Sequence, residues 1–250
     1  MKLLTCGCSF VWGDELPGCY DNPPTHQKLT FTYHLAKKLG VKPLNIAACG
    51  NGNEKIFRDT IEALAKNDDI THVVVLWSAW QRNELAEGEH ELDHKEYEMK
   101  VQRSDCMTQF SADRINWLAS KRWGAMHQWY NICQTYKTDV IHGLAFMLAL
   151  QDLCDAKGIK LVQGVFHERN LENIRMIYMT NRPEWQDYTT KISNMFGRLR
   201  KSSRVGLGVG DDLYSLSREK IGDLKFNGHP GEESHSYYAE LLHHLFQKYY

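Results

Sequence analysis

Ser9 sits in Gly7-Cys8-Ser9-Phe10-Val11-Trp12-Gly13-Asp14, directly after the apolar opening Lys2-Leu3-Leu4. A serine hydroxyl is a weak nucleophile. It needs a base within hydrogen-bond reach and N–H donors for the oxyanion that its attack creates. The far end of the chain offers the base, in Phe226-Asn227-Gly228-His229-Pro230-Gly231-Glu232-Glu233. Proline and acids after the histidine are helix-start chemistry, so His229 is expected on a fixed loop just before a final helix. The N–H of Ser9 is one candidate oxyanion donor. The N–H of Gly50, in Cys49-Gly50-Asn51-Gly52-Asn53, is a second, because glycine lets backbone approach a substrate closely. An asparagine or serine at the end of a third strand would add another.

Blander readings compete at each position. Ser9 could be only a small residue in a glycine-rich turn, Gly50 a turn glycine, and Asp14 a cap for the segment after Gly13. Cys8 beside Ser9 is an alternative nucleophile, but nothing in the sequence marks its thiol as activated. His235 and the pair His243-His244 read as surface residues of the last helix. Gly50-Asn51-Gly52-Asn53 before a helix could also cradle a phosphate, as in a flavodoxin-like nucleotide binder, but it lacks the lysine of a P-loop.

The elements that position these residues alternate. Lys2–Cys6 reads as a short buried strand. Residues 28–39 carry helical spacing up to Gly40. Pro43–Ala48 reads as a second strand, followed by a turn and a helix over 54–65. The apolar run Thr71–Trp77 predicts a strand covered on both faces. Residues 139–156 predict a long helix, Ile159–Val165 a fourth strand and residues 231–249 the last helix. This order predicts an α/β fold, a three-layer α/β/α sandwich around a parallel sheet, flavodoxin-like in architecture. Ligands of such sheets bind beyond the carboxyl ends of the strands, where Ser9, Gly50 and Ser78 converge. Residues 84–137 break the rhythm. They are expected to form a mainly helical insertion, acting as a lid or an oligomer interface through Trp117, Trp123, Trp129 and Tyr130, within a single domain of residues 1–250.

Composition excludes several classes. The 250 residues are 42% hydrophobic and 24% charged, with net charge −1, so no basic face advertises nucleic acid. No apolar run is long enough for a membrane span, and the N-terminus lacks the apolar core of a signal peptide. Seven cysteines, an odd number, read as reduced thiols and point to a cytoplasmic location. Cys6-x-Cys8 lacks the second ligand pair of a zinc site, so no metal is expected.

Taken together, three blocks resemble the SGNH (GDSL-type) hydrolase superfamily: Gly7–Asp14, Asn45-Ile46-Ala47-Ala48-Cys49-Gly50, and Asn227-Gly228-His229-Pro230, with Glu233–Ala239 similar to the start of the family's terminal helix. The resemblance runs through the whole chain except the insertion. It implies Ser9 as nucleophile, Gly50 as oxyanion glycine, His229 as base, and no metal or organic cofactor. The family's aspartate shortly before the histidine is replaced here by Asn227, with Asp223 as a possible substitute, or a Ser–His dyad remains. An asparagine can orient an imidazole but cannot offset its charge. The family's Gly-x-Asn block is absent at Leu76-Trp77-Ser78-Ala79-Trp80-Gln81-Arg82-Asn83. Ser78 or Asn83 would then donate to the oxyanion, and Arg82 would grip an anionic or hydroxylated substrate. The implied activity is a serine esterase removing an acyl group from a carbohydrate or small-molecule ester. The rival is a decayed SGNH fold kept for binding or structure. The Trp-Ser and Arg-x-Glu signature resembles bacteriophage members, which would place the protein in a host cytoplasm or a virion. A Ser9–His229 separation within about 3.5 Å would separate the two readings.

Overall fold

Hydrophobic alternation sorts the strands onto two faces. Leu4, Cys6, Val73, Val75, Trp77 and Leu161 point to one side of the sheet, and Leu3, Val74, Leu76 and Val162 to the other. In a strand successive side chains face opposite ways, so a run apolar at every position must be covered on both faces. The computed structural model describes residues 1–19, 21–80, 83–86, 107–110, 136–166, 186–205, 212–226 and 228–250. In chain order its elements are β1 (Lys2–Cys6), α1 (Ser9–Trp12), α2 (Pro23–Gln27), α3 (Phe31–Leu39), β2 (Lys42–Asn45), α4 (Asn53–Lys66), β3 (Ile70–Trp77), β4 (Asn83–Ala86), β5 (Met107–Phe110), α5 (Tyr136–Ala156), β6 (Lys160–Val165), α6 (Gln186–Arg198), α7 (Leu213–Ser215), which runs on into a π-helical turn at Leu216–Ile221, and α8 (Glu232–Tyr249).

The main sheet has the order β2-β1-β3-β6, and every pair in it is parallel. Ile56 and Leu64 of α4, Leu144 and Met147 of α5 and Ile192 of α6 pack on one face. Phe31 and Leu35 of α3 and Tyr238, Leu242 and Phe246 of α8 pack on the other. The three-layer α/β/α sandwich is therefore the fold. One buried polar side chain inside it is fully engaged. Gln163 accepts from Trp77 Nε1 at 2.9 Å and donates to the Met147 carbonyl at 2.7 Å and to Ser203 Oγ at 3.2 Å. Among the described residues no helix is long and apolar enough to cross a membrane.

Strand two ends earlier than expected. The Asn45 side chain accepts from Ala47 N–H at 3.1 Å, and this local turn bends the chain out of the ladder. Contact with β1 continues beyond it through Ile46 N–H to Thr5 O at 3.0 Å and Ala48 N–H to Gly7 O at 3.4 Å. The described parts of the insertion, β4 and β5, form a two-stranded antiparallel ribbon. The helical expectation for the rest, with its tryptophans and Tyr130, lies outside the described residues, as do Gln81 and Arg82.

Candidate active site

The site is built where β1 ends. Ser9 opens α1 three residues past Cys6, the last residue of β1, so its N–H is one of the helix-start donors without an intrahelical acceptor. Gly13 closes this single turn at φ +85°, donating its N–H to Ser9 O at 2.9 Å. Asp14 N–H also reaches Ser9 O, at 3.0 Å. Glu15 follows at φ +65°, a left-handed conformation that costs a non-glycine residue about 1–3 kcal/mol. Buried His26 braces the reversal. Its Nε2 donates to Gly13 O at 2.8 Å, and its ring packs 5.0 Å from Trp12.

His229 arrives from the other end of the chain. Its loop is pinned by Lys225 N–H to His229 O at 2.8 Å and Gly231 N–H to Asp223 O at 2.8 Å. The Asp223 carboxylate accepts from Glu233 N–H at 3.0 Å and Ser234 N–H at 3.3 Å, which caps α8. The ring of Phe10 lies 5.1 Å from the imidazole.

The two segments meet through the imidazole. His229 Nε2 is 2.9 Å from Ser9 Oγ, and His229 Nδ1 is 3.0 Å from Glu15 Oε2. A carboxylate can only accept, so Nδ1 carries the proton and Nε2 is left to accept the serine hydroxyl hydrogen. Asp14 Oδ2 lies 3.6 Å from Nε2 as well, and Asp14 Oδ1 accepts from Glu15 N–H at 3.1 Å. Ser9 is 8% exposed and the side chain of His229 15%. The pair is thus shielded from bulk water yet reachable. Gly50 is exposed at φ +82° on the neighbouring loop, with open space around it. Asn51 holds that loop to the end of β1 by donating to Gly7 O at 3.1 Å.

Several expected partners fall elsewhere. Asp223 caps the last helix, and the carboxylate on His229 Nδ1 is that of Glu15. Ser78 is fully buried and its N–H donates to Asn53 Oδ1 at 2.8 Å, so this N–H is committed inside the fold and not at the open rim. Cys8 is fully buried. Burial and the neighbouring Asp14 carboxylate push the Cys49 thiol up to about 12, so it stays protonated. Trp77 and Trp80 belong to the core and do not fill the rim. His235, read from sequence as a surface residue, is fully buried because it lies on the apolar stripe of α8. Asn227 and Arg82 lie outside the described residues, and of Asn83 only the backbone, in β4, is described. Among the described residues no group of three or more His, Cys, Asp or Glu side chains could hold a metal ion.

Glu15 is the functional candidate that sequence reasoning missed. Its signal was the acidic pair Asp14-Glu15 just past a glycine, six residues from a candidate nucleophile.

No family model and no curated protein matches the sequence. Solved structures do. The psychrotrophic esterase EstA from a Pseudoalteromonas species superposes with a TM-score of 0.50 at 10% identity, over 99% of this chain and 97% of that one. A putative lipolytic protein of the G-D-S-L family from Desulfitobacterium hafniense gives 0.47 at 9% identity, over 98% of each chain. A carbohydrate esterase family 2 enzyme with a carbohydrate-binding domain, from Corynascus thermopiles (Myceliophthora fergusii), gives 0.48 at 12% identity, over 99% of this chain and 65% of that one. The chain shares its α/β fold with the esterase EstA.

Proposed function

We propose that the protein is a serine ester hydrolase whose reactive group is the triad Ser9–His229–Glu15. The observation that carries this reading is the continuous hydrogen-bonded line from Ser9 Oγ through His229 to Glu15 Oε2, 2.9 and 3.0 Å. His229 Nε2 takes the Ser9 hydroxyl proton as Oγ bonds to the ester carbonyl carbon. Glu15 holds the imidazole in the required tautomer and offsets the positive charge that forms on it. The N–H groups of Ser9 and Gly50 are the proposed donors to the oxyanion. The tetrahedral intermediate collapses, the C–O bond to the alcohol breaks, and Nε2 returns the proton to the leaving oxygen. Water, deprotonated by the same nitrogen, then releases the acid and restores Ser9.

The proposed substrates are acyl esters of carbohydrates or small molecules, a class consistent with the esterase neighbours. The rival reading, a decayed binding module, is disfavoured because base, nucleophile and acid all lie within bonding distance. Free thiols at Cys6, Cys8, Cys19, Cys49 and Cys154 support a reducing location such as the cytoplasm.

Covalent labelling by a fluorophosphonate, located by peptide mapping, tests the reading. The expected result is a label on Ser9, absent in Ser9→Ala and slowed at least about 10³-fold in His229→Ala. Folded wild-type protein that takes no label would refute it.

A further inference from the structure

Asp14 has no step in the hydrolysis just described, yet its carboxylate lies beside the nitrogen that protonates the departing alcohol. Nε2 of His229 hands its proton to the leaving oxygen, so that oxygen comes within about 3 Å of Nε2. Asp14 Oδ2 is 3.6 Å from the same nitrogen, with its side chain 14% exposed. Its position is fixed at the root. The Asp14 N–H is bonded to Ser9 O, and Asp14 Oδ1 holds the Glu15 N–H. The Cys49 thiol, kept protonated, neighbours this carboxylate. A carboxylate has about four acceptor sites and can accept from several donors at once.

A hydroxyl on the carbon next to the ester oxygen would lie about one hydrogen-bond length from the leaving oxygen, within reach of Asp14. Such a bond to an ionised acceptor is charge-assisted. An ester of a simple alcohol would displace water from Asp14 and return no hydrogen bond, which loses binding energy. Sites built to bond a substrate hydroxyl reject the analogue that lacks it.

We propose that Asp14 is a specificity-determining residue that accepts a hydrogen bond from a hydroxyl vicinal to the ester oxygen, so that the site selects esters of polyols over esters of simple alcohols. Asp14 exchanges no proton, and the leaving oxygen receives its proton from His229. The proposal rests on the Ser9–His229 hydrolase reading.

The test is a matched pair, 2-hydroxyethyl acetate against ethyl acetate, which share the acyl group and differ by one hydroxyl. We expect the wild-type protein to favour the hydroxy ester by about tenfold or more in kcat/KM. Asp14→Ala brings the ratio close to one. The near-isosteric Asp14→Asn, which keeps an acceptor but not the charge, falls between. Fluorophosphonate labelling of Ser9 is measured on the same preparations. A labelled Ser9 with a wild-type ratio near one, or with a ratio undiminished in Asp14→Ala, overturns the assignment of Asp14 and leaves the hydrolase reading intact. Absence of labelling and of turnover of either ester overturns both.

Discussion

His229 and His235 are six residues apart, one on the loop before α8 and one in its first turn. Each ring makes a hydrogen bond through Nδ1, but in opposite senses. The Glu15 carboxylate faces Nδ1 of His229, which forces the proton onto that nitrogen and frees Nε2 to act as a base. At His235 the Phe31 N–H donates to Nδ1 at 3.2 Å, so the proton of the neutral ring sits on Nε2. His235 is fully buried and stacked on Phe31 at 5.8 Å between ring centroids. Burial first, then the neighbouring His34, His26 and His229, lower its pKa to about 3. The same side chain is the proposed base in one region and a neutral acceptor in the other. What differs is the group offered to Nδ1 and the access of water, not the local sequence.

Replacing the acceptor is the most severe way to break this contrast. A Glu15→Gln amide can donate to Nδ1, which gives His229 the tautomer of His235. We expect kcat for ester hydrolysis to fall by about 10⁴, the scale set by the equivalent amide substitution in a serine protease, with fluorophosphonate labelling slowed in parallel. Labelling of Glu15→Gln at the wild-type rate would show that Glu15 is not the orienting acid.

His235 sharpens the contrast through pH. Its folded pKa, about 3, lies below the ordinary 6.5, so the unfolded chain takes up the proton first. Its contribution to stability is complete above about pH 6.5 and is lost as the pH falls toward 3, by up to ~1.4 kcal/mol per pH unit. Urea unfolding between pH 7 and pH 4.5 should therefore show a shallower acid decline in His235→Gln than in wild type. Parallel declines would assign the acid sensitivity elsewhere.

The smallest effect concerns the loop that joins the two histidines. Asp223 binds N–H groups of the first turn of α8 and does not meet His229. Asp223→Ala should cost about 1 kcal/mol of stability, read from the urea midpoint, as the loss of a helix cap does. Labelling of Ser9 by the folded fraction should stay at the wild-type rate.

The sheet was legible because its central strand β3 is buried on both faces, so Val73–Trp77 reads as one apolar run. Ser9 and His229 were legible because each stands at a boundary, one past a strand and one before a helix that opens with Pro-Gly-Glu-Glu. Glu15 was not, because its role depends on a positive φ and on the reversal at Gly13, neither of which has a periodic trace. His235, expected on the surface from its place early in the last helix, is buried. Its spacing to Tyr238, Ala239 and Leu242 was the signal that it shares the buried face. Ser78 was placed correctly at a strand end, but only the folded chain shows that its N–H is committed to Asn53.

The proposed nucleophile and its acid lie within one short reversal, residues 9 to 15, held by hydrogen bonds among close neighbours. The proposed base, His229, is distant, 220 residues along the chain from Ser9 and 214 from Glu15. A local opening that lifts the last helix and its preceding loop from α3 would therefore remove the base while leaving Ser9 and Glu15 in register. Under native conditions the reactivity of one serine thus becomes a gauge of a partial unfolding equilibrium: it measures how often the C-terminal segment is docked, independently of whether the sheet beneath it ever opens.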